Sequence, residues 1–298
     1  MSSFPDRLDS AAIAALLPTS MRQRFDVRVV ERTGSTNSDL LRDVASLPSG
    51  TVLAAEAQTA GRGRRGRAWI APPGGSLAFS VLWKFDGNVA ALSGLSLAVG
   101  VAVARALEAS AAEGVRLKWP NDLLAQRDGQ WCKLGGILIE LSSATAGTVA
   151  AVIGIGLNVN LGVAASTIDQ PVTDVRALKC DATRDALLAA ILVELVSVLS
   201  AFAIEGFAPL ADEWNQRHAW CGLPVSLADD HGSSGDAAGI AGGIAGAVAR
   251  GVASAVNSGV ASGVAEDGAL LIDTPAGQRR VVSGDVSLRL APVALNRS

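Results

Sequence analysis

Several short stretches of this chain combine cations, amides and glycines in ways that suit anion chemistry. The densest is Gln58-Thr59-Ala60-Gly61-Arg62-Gly63-Arg64-Arg65-Gly66-Arg67-Ala68-Trp69, with four arginines and three glycines in the seven residues from Gly61 to Arg67. Glycine lets backbone N–H groups approach an anion, and guanidinium groups add charge with forked hydrogen bonding. Such a loop suits a carboxylate meeting a phosphate, and by itself reads equally as a solvated basic turn or an RNA-contacting patch. It is not a Walker loop, because no Gly-Lys-Ser/Thr follows.

In Lys118-Trp119-Pro120-Asn121-Asp122 a strand end presents a cation, a rigid bend, an amide and a carboxylate. That set suits a metal-bridged triphosphate, with Asp122 holding Mg²⁺ or a lysine nucleophile and Lys118 meeting phosphate oxygens. A plain turn with a surface ion pair is the competing reading. Lys133-Leu134-Gly135-Gly136-Ile137-Leu138-Ile139-Glu140-Leu141 opens an apolar strand with a lysine, and its two glycines allow a flat ligand to lie on the backbone. Gly154-Ile155-Gly156-Leu157-Asn158-Val159-Asn160 is another glycine-relieved strand ending in amides. It does not open a helix, so it is not a dinucleotide fingerprint.

The elements that must hold these pieces follow from periodicity and punctuation. Ala11 to Leu17 predicts a helix and Val27 to Glu31 a strand, followed by the cap-rich run Gly34-Ser35-Thr36-Asn37-Ser38 and a helix from about Asp39. Strands are expected at Thr51 to Ala55, Leu77 to Trp83 and Val115 to Trp119, and a helix at Leu92 to Ala112. Leu134 to Leu141 and Val149 to Val159 predict a hairpin, and Thr183 to Phe202 and Ala208 to His218 predict helices. Together these make a mixed sheet with helices on one side. From Pro224 the pattern turns to short strands at Val225 to Leu227, Ala269 to Asp273, Gln278 to Val282 and Val286 to Leu290, as in a small β-barrel. The expected division is a main domain over 1–222 and a small one over 223–298.

Within the small domain, Ile240, Ile244, Val248, Val252, Val256, Val260 and Val264 recur every fourth residue among Ala, Gly and Ser. The expectation is a low-complexity insertion in a surface loop at about 231–265, too rich in glycine for a helix. An added hairpin or self-association edge is the alternative.

The chain has 298 residues, 49% of them hydrophobic, and a formal net charge of -3, which permits a large core and argues against general nucleic-acid binding. Three cysteines without C-x-x-C spacing and two histidines make a zinc site improbable. They fit a reduced, cytoplasmic setting. Neither a signal peptide nor a membrane span is expected.

Taken in order, Ser35-Thr36-Asn37, Gln58 with Gly61 to Arg67, Lys118 to Asp122, Lys133 to Glu140 and Gly154 to Asn158 resemble the biotin-protein ligase family in content and spacing. A weaker likeness continues into Gly284-Asp285-Val286-Ser287-Leu288-Arg289. The resemblance implies an α+β fold: a central mixed β-sheet with helices, of the class II synthetase-like ligase type, plus a small C-terminal SH3-like β-barrel. It implies a ligase that uses ATP with Mg²⁺ to convert biotin to biotinyl-5'-AMP. Biotin then passes to a lysine of the biotin carboxyl carrier protein of acetyl-CoA carboxylase. Lipoate-protein ligase or octanoyl transferase, and a non-catalytic biotin sensor, are the competing readings.

Carried onto matching positions, the resemblance places Ser35, Thr36 and Gln58 at the biotin ureido ring and Asn37 at the pocket wall. Arg62, Gly63 and Arg64 would lie over the biotin tail and adenylate, and Lys133 by the biotin carboxylate and α-phosphate. Arg67, Trp69, Lys118, Asn121, Asp122, Asn158 and Arg289 would serve the nucleotide. Arg64, Lys118, Asp122 and Lys133 are the expected catalytic set, with Asp122 as the one candidate Mg²⁺ ligand. Only about thirty residues precede the first of these motifs, too few for a winged helix-turn-helix, so no sequence-specific DNA binding is expected. A monomer or weak homodimer is anticipated.

Overall fold

A computed structural model describes residues 6–70, 72–145, 147–229, 258–282 and 286–290. The chain forms two compact units, Met1–Ala219 with Glu266–Gly268, and Trp220–Ala265 with Ala269–Ser298.

The first unit is built on a seven-stranded sheet. Its strands are β1 (Asp26–Thr33), β2 (Thr51–Gln58), β3 (Ser76–Asp86), β4 (Arg116–Lys118), β5 (Asp122–Arg127), β6 (Gln130–Thr145) and β7 (Thr148–Asn158). They lie in the order β1-β2-β3-β7-β6-β5-β4. Only β1 and β2 run parallel; every other neighbouring pair is antiparallel. The helices are α1 (Ser10–Leu16), α2 (Thr36–Arg42), α3 (Leu95–Ala109), α4 (Arg184–Glu205) and α5 (Ala211–Gln216).

Two faces of the sheet are covered differently, which corrects the expectation of helices on one side. Ile137, beneath the glycine gap of α3 at Gly100, and Phe85, edge-on to Phe202 of α4, belong to the face that α3 and α4 cover. On the other face, Leu53, Leu82, Ala150 and Val152 pack against Leu40 and Val44 at α2 and just beyond it. Helix α2 is only seven residues long, so it covers part of that face and leaves the rest for a site.

The segment Val89–Ala109 and helix α4 are long and apolar enough to cross a membrane by composition alone. In the fold much of each is core, with Val99, Val101, Leu107, Leu188, Ile191 and Leu195 all fully buried. The expected helix over Leu92 to Ala112 is shorter at both ends. Gly94 holds φ +79 ahead of it, and a Cβ there would meet the Phe207 side chain at 2.6 Å. Past its end, Ala111 turns left-handed and Ser110 Oγ donates to the Ala106 carbonyl at 2.8 Å. Helix α4 is capped by Thr183, whose hydroxyl accepts from Ala186 N at 3.2 Å.

Strand β5 was not foreseen. It forms a hairpin with β6, which begins at Gln130 rather than Leu134, around Asp128 (φ 52) and Gly129 (φ 78). Two consecutive positive-φ residues of Asp-Gly type are the hairpin turn that matches strand twist. The hairpin sets Asp122 opposite Gly136, three residues from Lys133.

His218 extends the far edge of this sheet. Leu117 N donates to the Arg217 carbonyl at 2.8 Å and Ala219 N to the Leu117 carbonyl at 2.9 Å, so His218 lies parallel to β4. Its ring stacks on Trp214 with centroids 4.8 Å apart, and both ring nitrogens are buried without a partner. Burial pushes the imidazole pKa down from 6.5 to about 4. Between those values the unfolded chain binds the extra proton, so the stability this group contributes is whole above pH 6.5 and is lost as pH falls toward 4. The expected loss is about 2–3 kcal/mol by pH 4.5. Urea midpoints at pH 7 and 4.5 for the wild type and His218→Leu check it: the variant should lose less on acidification, and equal losses would contradict the assignment.

The second unit is a five-stranded antiparallel sheet of β8 (Pro224–Asp229), β9 (Ser258–Val264), β10 (Leu270–Thr274), β11 (Gly277–Val281) and β12 (Val286–Leu290), ordered β11-β10-β9-β8-β12. It is of the small barrel-like kind anticipated. The expected insertion at 231–265 needs correction at its end, because Ser258–Val264 is the central strand of this sheet. Small residues are required there: a Cβ on Gly259 would meet the Asp273 carbonyl and Ile272 at 2.5 Å, and Ala261 is fully buried. Ile240, Ile244, Val248, Val252 and Val256 lie outside the described residues, as do Gly284 and Asp285.

Candidate functional site

The face of the sheet left open by α2 is made shallow by small residues. Register places Ser80, Gly154 and Leu138 in one row and Ala78, Gly156 and Gly136 in the next, with Ser76 beside Asn158 beyond them. A methyl at Gly154 would land on the Asn37 Oδ1, and one at Gly156 would meet the Trp69 ring at 2.5 Å. These glycines are therefore the gaps into which Asn37 and Trp69 fit.

On the α2 side of this floor stands a buried, uncharged polar network. Thr36 N donates to Gln58 Oε1 at 2.9 Å, and Thr36 Oγ1 lies 2.7 Å from Ser80 Oγ. Ser80 Oγ donates to Asn37 Oδ1 at 2.5 Å. Asn37 Nδ2 in turn donates to Glu140 Oε2 at 2.9 Å and the Leu138 carbonyl at 3.2 Å. Ser35 is buried at the N-cap of α2, yet its side chain makes no capping bond. Gly154→Ala should force Asn37 out of this network and destabilise the protein by about 1–3 kcal/mol. A urea midpoint equal to that of the wild type would show instead that Asn37 has room to turn.

Across the floor stands a compact charged cluster. Asp122 Oδ1 is 2.6 Å from Lys133 Nζ, and its Oδ2 is 3.1 Å from Lys118 Nζ. Burial raises the Asp122 pKa, but the two ammonium groups outweigh it and hold the carboxyl below its ordinary value. Gly136 lies against this cluster, with an added Cβ 3.4 Å from Lys133 Cε and 3.7 Å from Asp122 Oδ1. Lys133 Nζ also sits 5.9 Å from the Trp69 ring centroid, within cation–π range.

The arginine-glycine segment is a small folded loop. Gly63 N donates to the Arg67 carbonyl at 2.7 Å and Trp69 N to the Gly61 carbonyl at 2.9 Å, closing it at its base. Arg65 and Gly66 both hold positive φ at the tip. Arg64 Nη1 reaches Asn121 Oδ1 at 3.3 Å, and Asn121 Nδ2 donates to the Ile137 carbonyl at 2.7 Å. Arg62 instead meets Glu140, at 2.7 and 2.9 Å. Asn158 is buried and donates to the carbonyls of Lys133 at 3.2 Å and Thr173 at 3.1 Å, fixing the backbone of the lysine strand. Past it, a cavity of about 510 Å³ opens between Arg127 and Asp128 and the segment from Asn160 to Asp174.

The structure thus brings together Ser35, Thr36, Asn37, Gln58, Arg62, Gly63, Arg64, Trp69, Lys118, Asn121, Asp122, Lys133 and Asn158. Arg67 is exposed on the loop, and Arg289 lies exposed on β12 of the second unit, opposite Ser226. Asp122, expected to hold Mg²⁺ or a lysine, meets two lysines here, with one ammonium group at each carboxylate oxygen. Among the described residues no group of three His, Cys, Asp or Glu gathers for a metal. Sequence reasoning missed Ser80 and the linking role of Glu140. Each is a polar residue inside an otherwise apolar strand, and that is the signal that marks them.

Comparison with known proteins identifies the class of fold. The profile of the Biotin/lipoate A/B protein ligase family matches residues 29–158, and that of the Biotin protein ligase C terminal domain matches residues 254–289. The biotin protein ligase from Aquifex aeolicus in complex with biotin and ATP superposes with a TM-score of 0.69 and 27% identity, over 89% of this chain and 99% of that one. The biotin--[acetyl-CoA-carboxylase] ligase of Paracoccus denitrificans is 30% identical over 217 residues, 68% of this chain and 87% of that protein. This chain belongs to the biotin protein ligase family. The bifunctional ligase/repressor BirA of Escherichia coli is 38% identical over 202 residues, and the match spans 62% of that protein's length.

Proposed function

We propose that this protein is an ATP-dependent biotin-protein ligase that forms biotinyl-5'-AMP and then biotinylates a carrier-protein lysine. The observation that carries this reading is the adjacency of two unlike polar groups on one glycine-relieved floor. One is the neutral Thr36–Gln58–Ser80–Asn37 network, and the other is the Lys133–Asp122–Lys118 cluster with Arg64 and Asn121 beside it. Biotin has the same division, with a neutral ureido ring at one end and a carboxylate at the other.

In this reading Ser35, Thr36 and Gln58 bind the ureido group, and Asn37 shapes the pocket beside them. The uncapped Ser35 hydroxyl supports that role. Gly63 and Arg64 lie over the tail, with Arg62 bracing the loop, while Lys133 stands at the biotin carboxylate and the ATP α-phosphate. Lys118, Asn121, Arg67 and Trp69 serve the nucleotide. Asn158 holds the lysine strand by donating to the Lys133 carbonyl. Asp122 anchors both Lys133 and Lys118, one at each carboxylate oxygen.

The chemistry these groups must assist brings two anions together. A biotin carboxylate oxygen attacks the α-phosphorus, a P–O bond forms, and the bond to the leaving pyrophosphate breaks. Preorganised ammonium and guanidinium groups lower that barrier by balancing the charge on the transferring phosphorus. In the second step an acceptor lysine amine attacks the acyl carbon, an amide forms, and AMP leaves with the amine having lost a proton. The arginine-glycine loop shields the mixed anhydride from water between the two steps. The acceptor is the biotin carboxyl carrier protein of acetyl-CoA carboxylase, and the setting is cytoplasmic.

A pyrophosphate-release assay with ATP-Mg and either biotin, lipoate or octanoate tests the substrate. Release with biotin alone is expected. Release with lipoate or octanoate but not biotin would replace this reading with the lipoate-ligase one.

A further inference from the structure

We propose that Glu140 is a positioning residue that latches the base of the arginine-glycine loop to the substrate-side network. It rests on the reading above for its bearing on the reaction, but the latch is a property of the folded chain. The carboxylate of Glu140, on β6, receives the Asn37 amide from α2 and Nη2 of Arg62 from the loop. Followed from the other end, Gln58 holds Thr36, Thr36 meets Ser80, Ser80 donates to Asn37, and Asn37 reaches Glu140. Arg62 lies only four residues beyond Gln58, so the chain itself closes the ring.

That closure sets Glu140 apart from an ordinary surface partner. Arg62 and Glu140 are 41% and 26% exposed at the side chain, a degree at which an isolated ion pair contributes little. Here the same carboxylate also fixes Asn37, which is buried, so its orientation is imposed from within and Arg62 meets an acceptor already in place. Displacing either partner loosens both. Ligand groups that reorient Asn37 would therefore be felt at Arg62, coupling pocket occupancy to the loop that covers the tail.

Limited trypsin digestion of the full-length protein without ligand reads the loop directly, because trypsin cuts after arginine and the loop carries four. Glu140→Gln, nearly isosteric, should speed cleavage between Arg62 and Arg67 about three- to tenfold. Arg62→Gln, scored at the remaining arginines, should do the same from the other partner. The double variant should be no faster than either single one. Arg28→Gln, which breaks a surface pair with Asp26, should leave loop cleavage unchanged. Unchanged cleavage in Glu140→Gln, or additive effects in the double variant, would overturn the latch. A second measurement reads its bearing on the reaction: Glu140→Gln should shorten the retention of labelled adenylate more than it slows its formation. Equal effects on both would overturn the positioning role. Absence of adenylate in the wild type would instead overturn the proposed function and leave the digestion result standing.

Discussion

Lys133→Met lowers the rate of biotinyl-adenylate formation by about 10²–10³, the loss expected when one preorganised charge at a developing anion is removed. Lys133 sits at the crossing of every constraint on the open face. Its ammonium is 2.6 Å from Asp122 and lies over Trp69, and its backbone carbonyl accepts from Asn158. Its amide donates to the Pro171 carbonyl at 2.9 Å, and its carbonyl also accepts from Thr173 N at 3.0 Å. A side chain held this firmly contributes its charge with no reorganisation during the reaction. Methionine keeps the stem and loses the charge, so the fold should persist while Asp122 retains only Lys118. The Asp122 carboxyl should then rise from its depressed pKa, since one of the two opposing charges is gone. Single-turnover pyrophosphate release checks the rate. A variant within fivefold of the wild type would remove Lys133 from the chemistry.

The largest expected effect on stability lies at Arg184, not at the site. Its side chain is fully buried in the first turn of α4. Nε donates to the Asp6 carbonyl at 3.0 Å, Nη1 to the Ser76 carbonyl at 3.3 Å, and Nη2 pairs with Glu56 at 2.8 Å. Glu56 also accepts from Leu8 N at 2.6 Å, so one guanidinium ties the N-terminal segment to α4 and to strands β2 and β3. Arg184→Leu leaves Glu56 without this cation and takes a donor from each of two carbonyls. The expected cost is about 3–5 kcal/mol in urea denaturation. The same physics predicts partial recovery in the double variant Glu56→Leu with Arg184→Leu, because the stranded carboxylate is gone. A double variant no more stable than Arg184→Leu would refute the buried-pair account. Ser76 pairs with Asn158, so the first lesion should also loosen the end of the site that carries Asn158.

The residues that meet at the site were legible because their chemistry is unusual for their surroundings. A lysine at the head of an apolar strand and an arginine-rich loop stand out in any sequence. The family resemblance then ordered them, and strands β1, β3, β6 and β7 followed from hydrophobic runs. What was not legible is what depends on partners distant in sequence. Strand β5 is short and ends in Gln126 and Arg127, so its periodicity is weak, although Asp128-Gly129 marked its turn. Strand β9 hides inside a low-complexity run because its neighbours demand small residues. The split of helices between two faces depends on which side of β3 is apolar, and β3 is buried on both. Asp122 was read as holding either Mg²⁺ or a lysine, because a carboxylate beside an amide suits both. Only the register of β5 against β6 reveals that two lysines already hold it.

The central claim is that the neutral network and the lysine cluster together activate biotin for transfer. It is tested most directly by incubating the full-length protein with biotin, ATP-Mg and a biotin carboxyl carrier domain, then weighing the carrier. The account predicts a carrier heavier by one biotinyl group, with no change when biotin or ATP is withheld or when Lys133→Met replaces the wild type. A carrier of unchanged mass in the complete mixture, with the protein shown to be folded, would contradict it.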